Sequence, residues 1–207
     1  MSEEEGSRLS RPVGDDDHQH GPAAAPVTLV EYGDYECPYC GAAHPIVQAI
    51  QQEMGDRLRF VFRNFPLTQI HPHAAGAAEA AEAAGDQNAF WPYHDHLFEH
   101  QHALSPHDLA SYAGEFKLDT ARFERALENH EFEERVRADF MSGVRSGVNG
   151  TPTFFINGYR FNDVANYRNL LLAVCAAERG EWPAKAAAAA ASTAVQTPAA
   201  EGKSLLG

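Results

Sequence analysis

Apolar residues follow two different periods along this chain, and each period predicts a different kind of element. In "PVTLVEY", the apolar residues Val27, Leu29 and Val30 form a nearly continuous run, which is typical of a strand buried on both faces. The following segment predicts a helix, because its apolar residues recur at spacings of three and four. These residues are Cys40, Ala43, Val47, Ile50 and Met54. Alternating residues in "RLRFVFRNF" then predict a second strand, so a βαβ unit with a parallel strand pair is expected.

The next part of the chain, residues 71–146, shows no strand pattern, and about five consecutive helices are predicted there. It contains the alanine-rich, helix-prone stretch "HPHAAGAAEAAEAAG". Two helix N-caps are predicted, at Ser105 and at Asp119. Pro106 follows Ser105 at the first helical position, where proline is tolerated. The last of these helices has apolar residues at a spacing of four, which predict its buried face. They are Phe132, Val136, Phe140 and Val144.

Beyond the helical block, two short strands are predicted at 153–156 and 159–161. Asn157-Gly158 joins them, and this dipeptide is a strong hairpin signal. A last helix follows, so the predicted order is βαβ, a helical block, then ββα. The predicted parts are a flexible segment at 1–24, an α/β domain at 25–70 and 147–180, a helical insertion at 71–146, and a flexible alanine-rich tail at 181–207.

Charge and composition narrow the possible partners and compartment. The 207 residues carry a formal net charge of -13, whereas nucleic acids are bound by concentrated basic surfaces, so no nucleic-acid partner is expected. No stretch of about 18 apolar residues occurs, so no membrane span is expected. The charged N-terminal region lacks the apolar core of a secretory signal, and three cysteines are few for a secreted scaffold. A cytoplasmic localisation is therefore expected.

The pentapeptide "ECPYC" places two cysteines where the first strand ends and the first helix begins. A zinc site would need two further ligands, and no second Cys-x-x-Cys accompanies the pair. A purely structural disulfide across so short a loop would remove little chain entropy. A redox pair explains more, because unpaired N–H groups and the helix dipole favour a thiolate at Cys37. Cys40, on the same helix face, could close a disulfide with it.

Other charged residues, the third cysteine and the histidines do not change the interpretation of the cysteine pair as redox-active. Asp34 and Glu36 are negative charges that would oppose a thiolate. Cys175 in the last helix is expected to behave as a small buried apolar residue. His96 and His100 are four residues apart and could share a ligand, but spacing alone is weak evidence, so no metal site is expected.

Two separated stretches, "VTLVEYGDYECPYCGAAHPIV" and "GTPTFFING", flank the predicted helical block. Over roughly residues 18–180 the chain resembles the DsbA-like branch of the thioredoxin-fold oxidoreductases. The resemblance implies an α/β thioredoxin fold, βαβ then ββα, with an inserted all-helical subdomain. It also implies that Cys37 is the nucleophile and Cys40 the buried resolving thiol. Pro152 would be a cis-proline facing the pair.

The same resemblance implies further roles around the pair. Glu31 lies where the family often has a buried acidic residue, which would accept the proton of Cys40. The alternative is a strand-edge Glu31 pointing into solvent. Thr151, Pro38 and Tyr39 are expected to contact the substrate. Strong oxidants of the family have a histidine between the cysteines, and Tyr39 cannot carry that positive charge, so a less oxidising couple is expected.

The chain is therefore expected to be an enzyme, a thiol–disulfide oxidoreductase. The Cys37–Cys40 pair would be its redox-active group, with no further cofactor and no metal. Thiols or disulfides of proteins and peptides are the expected partners, and glutathione stays open as a small partner. One alternative is a peptide-binding module whose cysteines are idle. Another is a glutathione-dependent isomerase or transferase of the same fold, although such proteins generally lack a second cysteine corresponding to Cys40.

Overall fold

The computed structural model describes residues 8–183, which contain a five-stranded mixed sheet with helices on both faces. The strands are β1 (His18–His20), β2 (Val27–Gly33), β3 (Leu58–Asn64), β4 (Thr153–Ile156) and β5 (Tyr159–Arg160). The helices are α1 (Pro38–Met54), α2 (Ala74–Gly85), α3 (Phe90–Glu99), α4 (Pro106–Glu115), α5 (Thr120–Glu128), α6 (Glu133–Arg145) and α7 (Tyr167–Glu178). The expected order with a helical insertion is confirmed.

Strand β2 occupies the middle of the sheet, whose order is β1-β3-β2-β4-β5. It pairs in parallel with β3, where Glu31 lies opposite Phe62, as a connection through α1 allows. It pairs antiparallel with β4, where Glu31 lies opposite Phe154. Glu31 therefore lies between two aromatic residues in the interior of the sheet.

Different elements cover the two faces of this sheet. One face includes Leu29 and Phe60 and belongs to the core that α1, α7 and the insertion share. The other face includes Val30 and Val61 and packs against α6. Because residues two apart in a strand share a face, Glu31 points to the same side as Leu29, toward α1.

The hairpin after the insertion follows the sequence prediction closely. Asn157 and Gly158 both have positive φ angles, 48° and 82°, as a tight turn of this kind requires. Strand β4 has the predicted bounds, whereas β5 ends one residue earlier than predicted.

The predicted helical block is confirmed as the helices α2–α6, which lie between β3 and β4. Helix α2 is central, since it contacts α3, α4, α5 and α6. Ser105 caps α4 by accepting a hydrogen bond from the Asp108 N–H, and Asp119 caps α5 by accepting one from the Arg122 N–H. Within residues 8–183, no helix combines the length and apolar character needed to cross a lipid bilayer.

The prediction of a flexible N-terminal segment is wrong for residues 8–24. Strand β1 lengthens the sheet by pairing antiparallel with β3. Upstream of it, Asp17 accepts two hydrogen bonds, at 2.8 and 2.9 Å, from the buried guanidinium of Arg63. The remaining N–H groups of Arg63 donate to the Tyr32 hydroxyl and to two backbone carbonyls of the segment. A buried guanidinium needs acceptors, and this segment supplies them. Residues 1–7 lie outside the described residues.

The predicted flexible tail at 181–207 is described only over its first three residues. The indole N–H of Trp182 donates to the carbonyl of Ile156 at 3.2 Å. Its ring lies against Phe161, with centroids 6.1 Å apart. Trp182 thus packs on the domain, and the prediction is wrong for this residue, because composition does not reveal such a contact. Residues 184–207 lie outside the described part of the chain.

The spacing of apolar residues predicted the wrong buried face for part of α6. Val144 is 45% exposed, whereas the side chains of Asp139 and Ser142 are buried. The hydroxyl oxygens of Ser142 and Tyr32 are 2.7 Å apart, and Asp139 accepts a hydrogen bond from the Asn64 N–H. Polar groups buried under α6 need partners, and this requirement outweighs apolar periodicity.

Candidate active site

Cys37 lies where the chain turns into α1. It is the N-cap residue of the helix, and Pro38 follows in the first turn, where a missing N–H costs nothing. The Cys37 carbonyl accepts hydrogen bonds from the N–H groups of Cys40, at 3.0 Å, and Gly41, at 3.1 Å. Cys40 therefore lies one turn deeper, and it is completely buried, whereas Cys37 keeps 2% exposure.

The pKa values of the two thiols are shifted in opposite directions. The hydrogen bond from the Cys40 thiol does most to lower the pKa of Cys37; burial opposes it, and Thr151 and N–H groups of the first turn add to it. The net effect lowers the pKa of Cys37 from 9.0 to about 5. Burial first, and then the same hydrogen bond and the charges of Glu31 and Cys37, raise the pKa of Cys40 well above its usual value. Near neutral pH, Cys37 is therefore a thiolate and Cys40 a thiol.

The lowered pKa of Cys37 stabilises the reduced protein. Its folded-state pKa of about 5 lies below its ordinary value of 9.0, so ionisation favours the folded state. This contribution is complete above the ordinary value and is lost as the pH falls through the folded value. A disulfide has no thiol to ionise, so the oxidised form gains nothing from it, and the couple becomes more oxidising.

The loop before β4 covers the other side of Cys37. The carbonyl oxygen of Thr151 lies 3.4 Å from the Cys37 sulfur, which donates to it when protonated. The Thr151 hydroxyl is buried without another partner among the described residues, and the side chain of Thr151 contributes to the lowered pKa of Cys37. The peptide bond between Thr151 and Pro152 is cis.

Glu31 is buried on the side of β2 that faces α1. It is 3% exposed, so the alternative of a side chain in solvent does not hold. Its Oε1 has no hydrogen-bond partner within residues 8–183. Burial raises the pKa of Glu31 from 4.5 to about 8, and the negative charge of Cys37 adds to the shift. A carboxyl group with this pKa can exchange protons near neutral pH.

Two histidines accompany the acidic residues beside the pair. Asp34 Oδ2 lies 2.8 Å from His71 Nδ1, and the Glu36 carboxylate lies 3.0 Å from Nδ1 of His73. Burial alone would lower the pKa of His71, but its bond to Asp34 and the negative charges of Asp34, Cys37 and Glu36 raise it. The expectation that Asp34 and Glu36 simply oppose the thiolate missed these pairings, because 37 residues separate the partners along the chain.

The insertion fixes the turn that carries the cysteines. Gln101, just after α3, donates from its Nε2 to the carbonyls of Tyr35 and Cys37, each at 2.8 Å. A Cβ atom on Gly41 would lie 2.0 Å from Oε1 of Gln101, so glycine leaves room for this side chain. The sequence alone does not reveal the role of Gln101, because its position depends on how the insertion packs on α1.

The surface beside the pair exposes apolar groups. Tyr39, between the cysteines, is 74% exposed, and Pro38 is exposed as well. Ile70 is 69% exposed in the loop between β3 and α2, next to His71. Exposed apolar side chains beside a cysteine pair are candidates for a binding surface.

Residues 14–176 match the family model described as Thioredoxin. The match covers well over half of the chain, and the chain belongs to this family. The thioredoxin fold with a helical insertion, expected from the resemblance to DsbA-like oxidoreductases, is thereby confirmed.

Solved structures share this architecture over nearly their whole length. BdbD from Bacillus subtilis, solved in the oxidised form, is 26% identical with a TM-score of 0.75, over 84% of this chain and 99% of that one. A thioredoxin-like oxidoreductase from Silicibacter pomeroyi is 27% identical with a TM-score of 0.72, over 80% of this chain and 94% of the other.

Among curated proteins, the chain is similar to part of longer ones. It is 49% identical over 173 residues to a protein of Salinispora arenicola named Na(+)/H(+) antiporter NhaA 1. That alignment takes in 83% of this chain but 26% of the antiporter. The chain thus spans about a quarter of the length of the curated relatives it matches.

The opposite pKa shifts predict the pH dependence of alkylation in the reduced protein. The rate at Cys37 is expected to rise with a midpoint near pH 5. Replacing the hydrogen-bond donor, Cys40→Ala, should move this midpoint upward, whereas Cys175→Ser on α7 should leave it unchanged. Mass spectrometry of iodoacetamide-treated protein across pH measures both effects. A wild-type midpoint near the ordinary value of 9.0 would contradict the assignment.

Proposed function

We propose that this protein is a thiol–disulfide oxidoreductase that exchanges disulfides with protein or peptide substrates through Cys37 and Cys40. The observation that carries the proposal is the pairing of an ionised Cys37 with a protonated Cys40 at the first turn of α1. A thiolate is the attacking species in disulfide exchange, and a second thiol one turn away can resolve the product.

The proposed reaction moves two electrons from the cysteine pair to the substrate disulfide. Because Cys37 is already ionised, Cys40 supplies one of the two protons that the product thiols take up, and solvent supplies the other. The Cys37 thiolate attacks one sulfur of a substrate disulfide, forming a mixed disulfide, and the other substrate sulfur leaves and takes up a proton. Cys40 then loses its proton and attacks the Cys37 sulfur, which forms the Cys37–Cys40 disulfide and releases the second substrate sulfur. The cysteine pair is oxidised and the substrate is reduced. The reverse sequence oxidises a dithiol substrate.

Glu31 is proposed as the group that accepts the Cys40 proton. The charge of Cys37 contributes to the raised pKa of Glu31. Formation of the mixed disulfide removes that charge, so the pKa of Glu31 falls at the step in which a base is required. Its unpartnered Oε1 is free to accept a proton.

Substrate contacts are proposed for the loop and turn that flank Cys37. The Thr151 carbonyl lies 3.4 Å from the Cys37 sulfur, with Pro152 next in the chain, and the side chains of Pro38 and Tyr39 are exposed directly after Cys37. Solved relatives of over 25% identity include one named as a thioredoxin-like oxidoreductase, which supports the class of activity. A role for glutathione and the cytoplasmic localisation stay predictions.

The first test separates catalysis from peptide binding alone. The reduction of insulin disulfides with dithiothreitol as electron donor should be accelerated by the wild-type protein and not by Cys37→Ser. Cys175→Ser, a matched removal of a thiol outside the pair, should keep the wild-type rate. Equal rates for wild type and Cys37→Ser would favour a peptide-binding module with idle cysteines.

A second experiment identifies the substrate by trapping it on Cys37. Cys40→Ala removes the resolving thiol, so a mixed disulfide on Cys37 should accumulate. Mass spectrometry of the trapped species would distinguish a protein partner from glutathione. Absence of any adduct, at a pH at which Cys37 of this variant is still alkylated, would count against Cys40 as the resolving residue.

The pKa of Cys37 sets an expected range for the reduction potential. A value of about 5 lies between those of thioredoxin, about 7, and DsbA, about 3.5. The potential is therefore expected between about -270 mV and about -120 mV, the values of those two proteins. Equilibration with glutathione redox buffers measures it. A potential as high as that of DsbA would overturn the expectation that Tyr39 makes the couple less oxidising.

Replacing Glu31 by glutamine tests its role as a proton acceptor. Glu31→Gln keeps the size of the side chain, so the fold should persist, while resolution of the mixed disulfide should slow by about 10²-fold. The pH dependence of resolution that comes from ionisation of Glu31, with a midpoint below about 8 because the mixed disulfide lacks the Cys37 charge, should also disappear. Stopped-flow measurement of resolution, with the alkylation midpoint of Cys37 as control, checks both points. An unchanged resolution rate and profile would exclude the proposed role.

A further inference from the structure

Two histidines and an aspartate converge between α1 and α3, apart from the cysteine pair. His44 lies on α1, whereas His94 and Asp95 lie on α3, and one ligand atom from each lies within 4.8 Å of the other two. His44 Nε2 and Asp95 Oδ1 are 3.5 Å apart. A tetrahedral zinc ion with ligand distances of about 2.0–2.1 Å holds its ligand atoms about 3.4 Å apart. This separation therefore already fits a shared metal ion.

His44 presents a buried nitrogen without a hydrogen-bond partner. The residue is 8% exposed, and its Nε2 has no partner among residues 8–183. Leaving such a polar atom unsatisfied in the interior is unfavourable, and a buried orphan requires an explanation. A metal ion between His44 and Asp95 would use this nitrogen.

The second histidine is oriented as a metal ligand usually is. Nδ1 of His94 lies 2.9 Å from the Tyr35 hydroxyl, so that bond leaves Nε2 for a ligand. The ring of Phe98 stacks on His44 at 4.9 Å and meets His94 edge-on at 5.0 Å, which restrains both imidazoles.

A cavity gives access to the three residues. It has a volume of about 380 Å³, and its lining includes His44, His94 and Asp95 together with Gln48, Trp91 and His20. The space can hold a water molecule as a further ligand. Two imidazoles and one carboxylate with an open position suit Zn²⁺ and neighbouring divalent transition metals.

We propose that His44, His94 and Asp95 bind a divalent transition-metal ion, with water as the fourth ligand. The ion would join α3 of the insertion to α1, one helical turn beyond Cys40. This site departs from the sequence-based expectation of no metal, because that expectation considered histidines four apart on one helix. The ligands proposed here come from two helices that only the fold brings together.

Zinc titration tests the site in the full chain. The parent protein for this test is the full chain with the substitution Cys175→Ala and with Cys37 and Cys40 oxidised to a disulfide. In this form no thiolate competes for the metal. Calorimetric titration with ZnCl₂ is expected to give one ion per chain. His44→Gln and Asp95→Asn should each weaken the affinity by at least about tenfold. Zn²⁺ should raise the melting temperature of the parent protein and not of these variants.

A matched control uses the other histidine pair on and just after α3. His96 and His100, with Glu99, form a second group that could hold a metal. The double variant His96→Gln/His100→Gln should keep the affinity of the parent. Co²⁺ loading should give the visible absorption of a four-coordinate or five-coordinate ion without a thiolate charge-transfer band.

Three outcomes would overturn the proposal. One is the absence of saturable Zn²⁺ binding by the parent protein. Another is loss of binding in the His96→Gln/His100→Gln variant with retention in His44→Gln and Asp95→Asn. The third is binding that none of these substitutions changes. Circular dichroism of each metal-free variant separates loss of a ligand from loss of the fold, and Asp95→Asn is the safer variant because its side chain is 44% exposed.

Discussion

The chemistry proposed for this domain depends on the interaction between two thiols at the start of α1. The thiol of Cys40 donates to Cys37, and this contact does more than any other to hold Cys37 ionised. The same contact and deep burial keep Cys40 protonated. The asymmetry needs a helix N-terminus, because the first-turn N–H groups have no intrahelical partner and can face the thiolate. Every role proposed for the neighbouring residues follows from this division of charge between two otherwise equivalent thiols.

The helical insertion holds the turn on which that hydrogen bond depends. Gln101 binds the carbonyls of Tyr35 and Cys37, and His94 of α3 contacts the hydroxyl of Tyr35. The proposed metal would add a third connection, since His44 lies on α1 and Asp95 on α3. The insertion and the Thr151–Pro152 loop thus both contact the turn that carries Cys37. Contacts from two separate parts of the chain restrain the position of the sulfur, as a preorganised site requires.

The opposite face of the sheet is organised around a buried charge. Arg63 uses all of its N–H groups inside the protein, and Asp17 supplies a carboxylate to it. Burial alone would raise the pKa of Asp17, but the bond to Arg63 and the nearby positive charges lower it. Such a pair adds little net stability, yet breaking it leaves a charge without compensation. The polar N-terminal segment is therefore held in place by an arginine that lies far along the chain from it.

Local patterns in the sequence were enough to predict the order of elements and to single out the cysteine pair that is proposed to be redox-active. Period-two and period-3.6 patterns are local, so they identified β2, α1, β3 and the block of helices, and the Asn157-Gly158 dipeptide marked its own turn. Cys37 and Cys40 were readable because a strand end and a helix start are also local features. Tertiary structure decided what depends on partners distant in sequence. Gln101, the pairing of Asp34 with His71, and the buried face of α6 could not be read from spacing, because each is set by groups that only packing brings together.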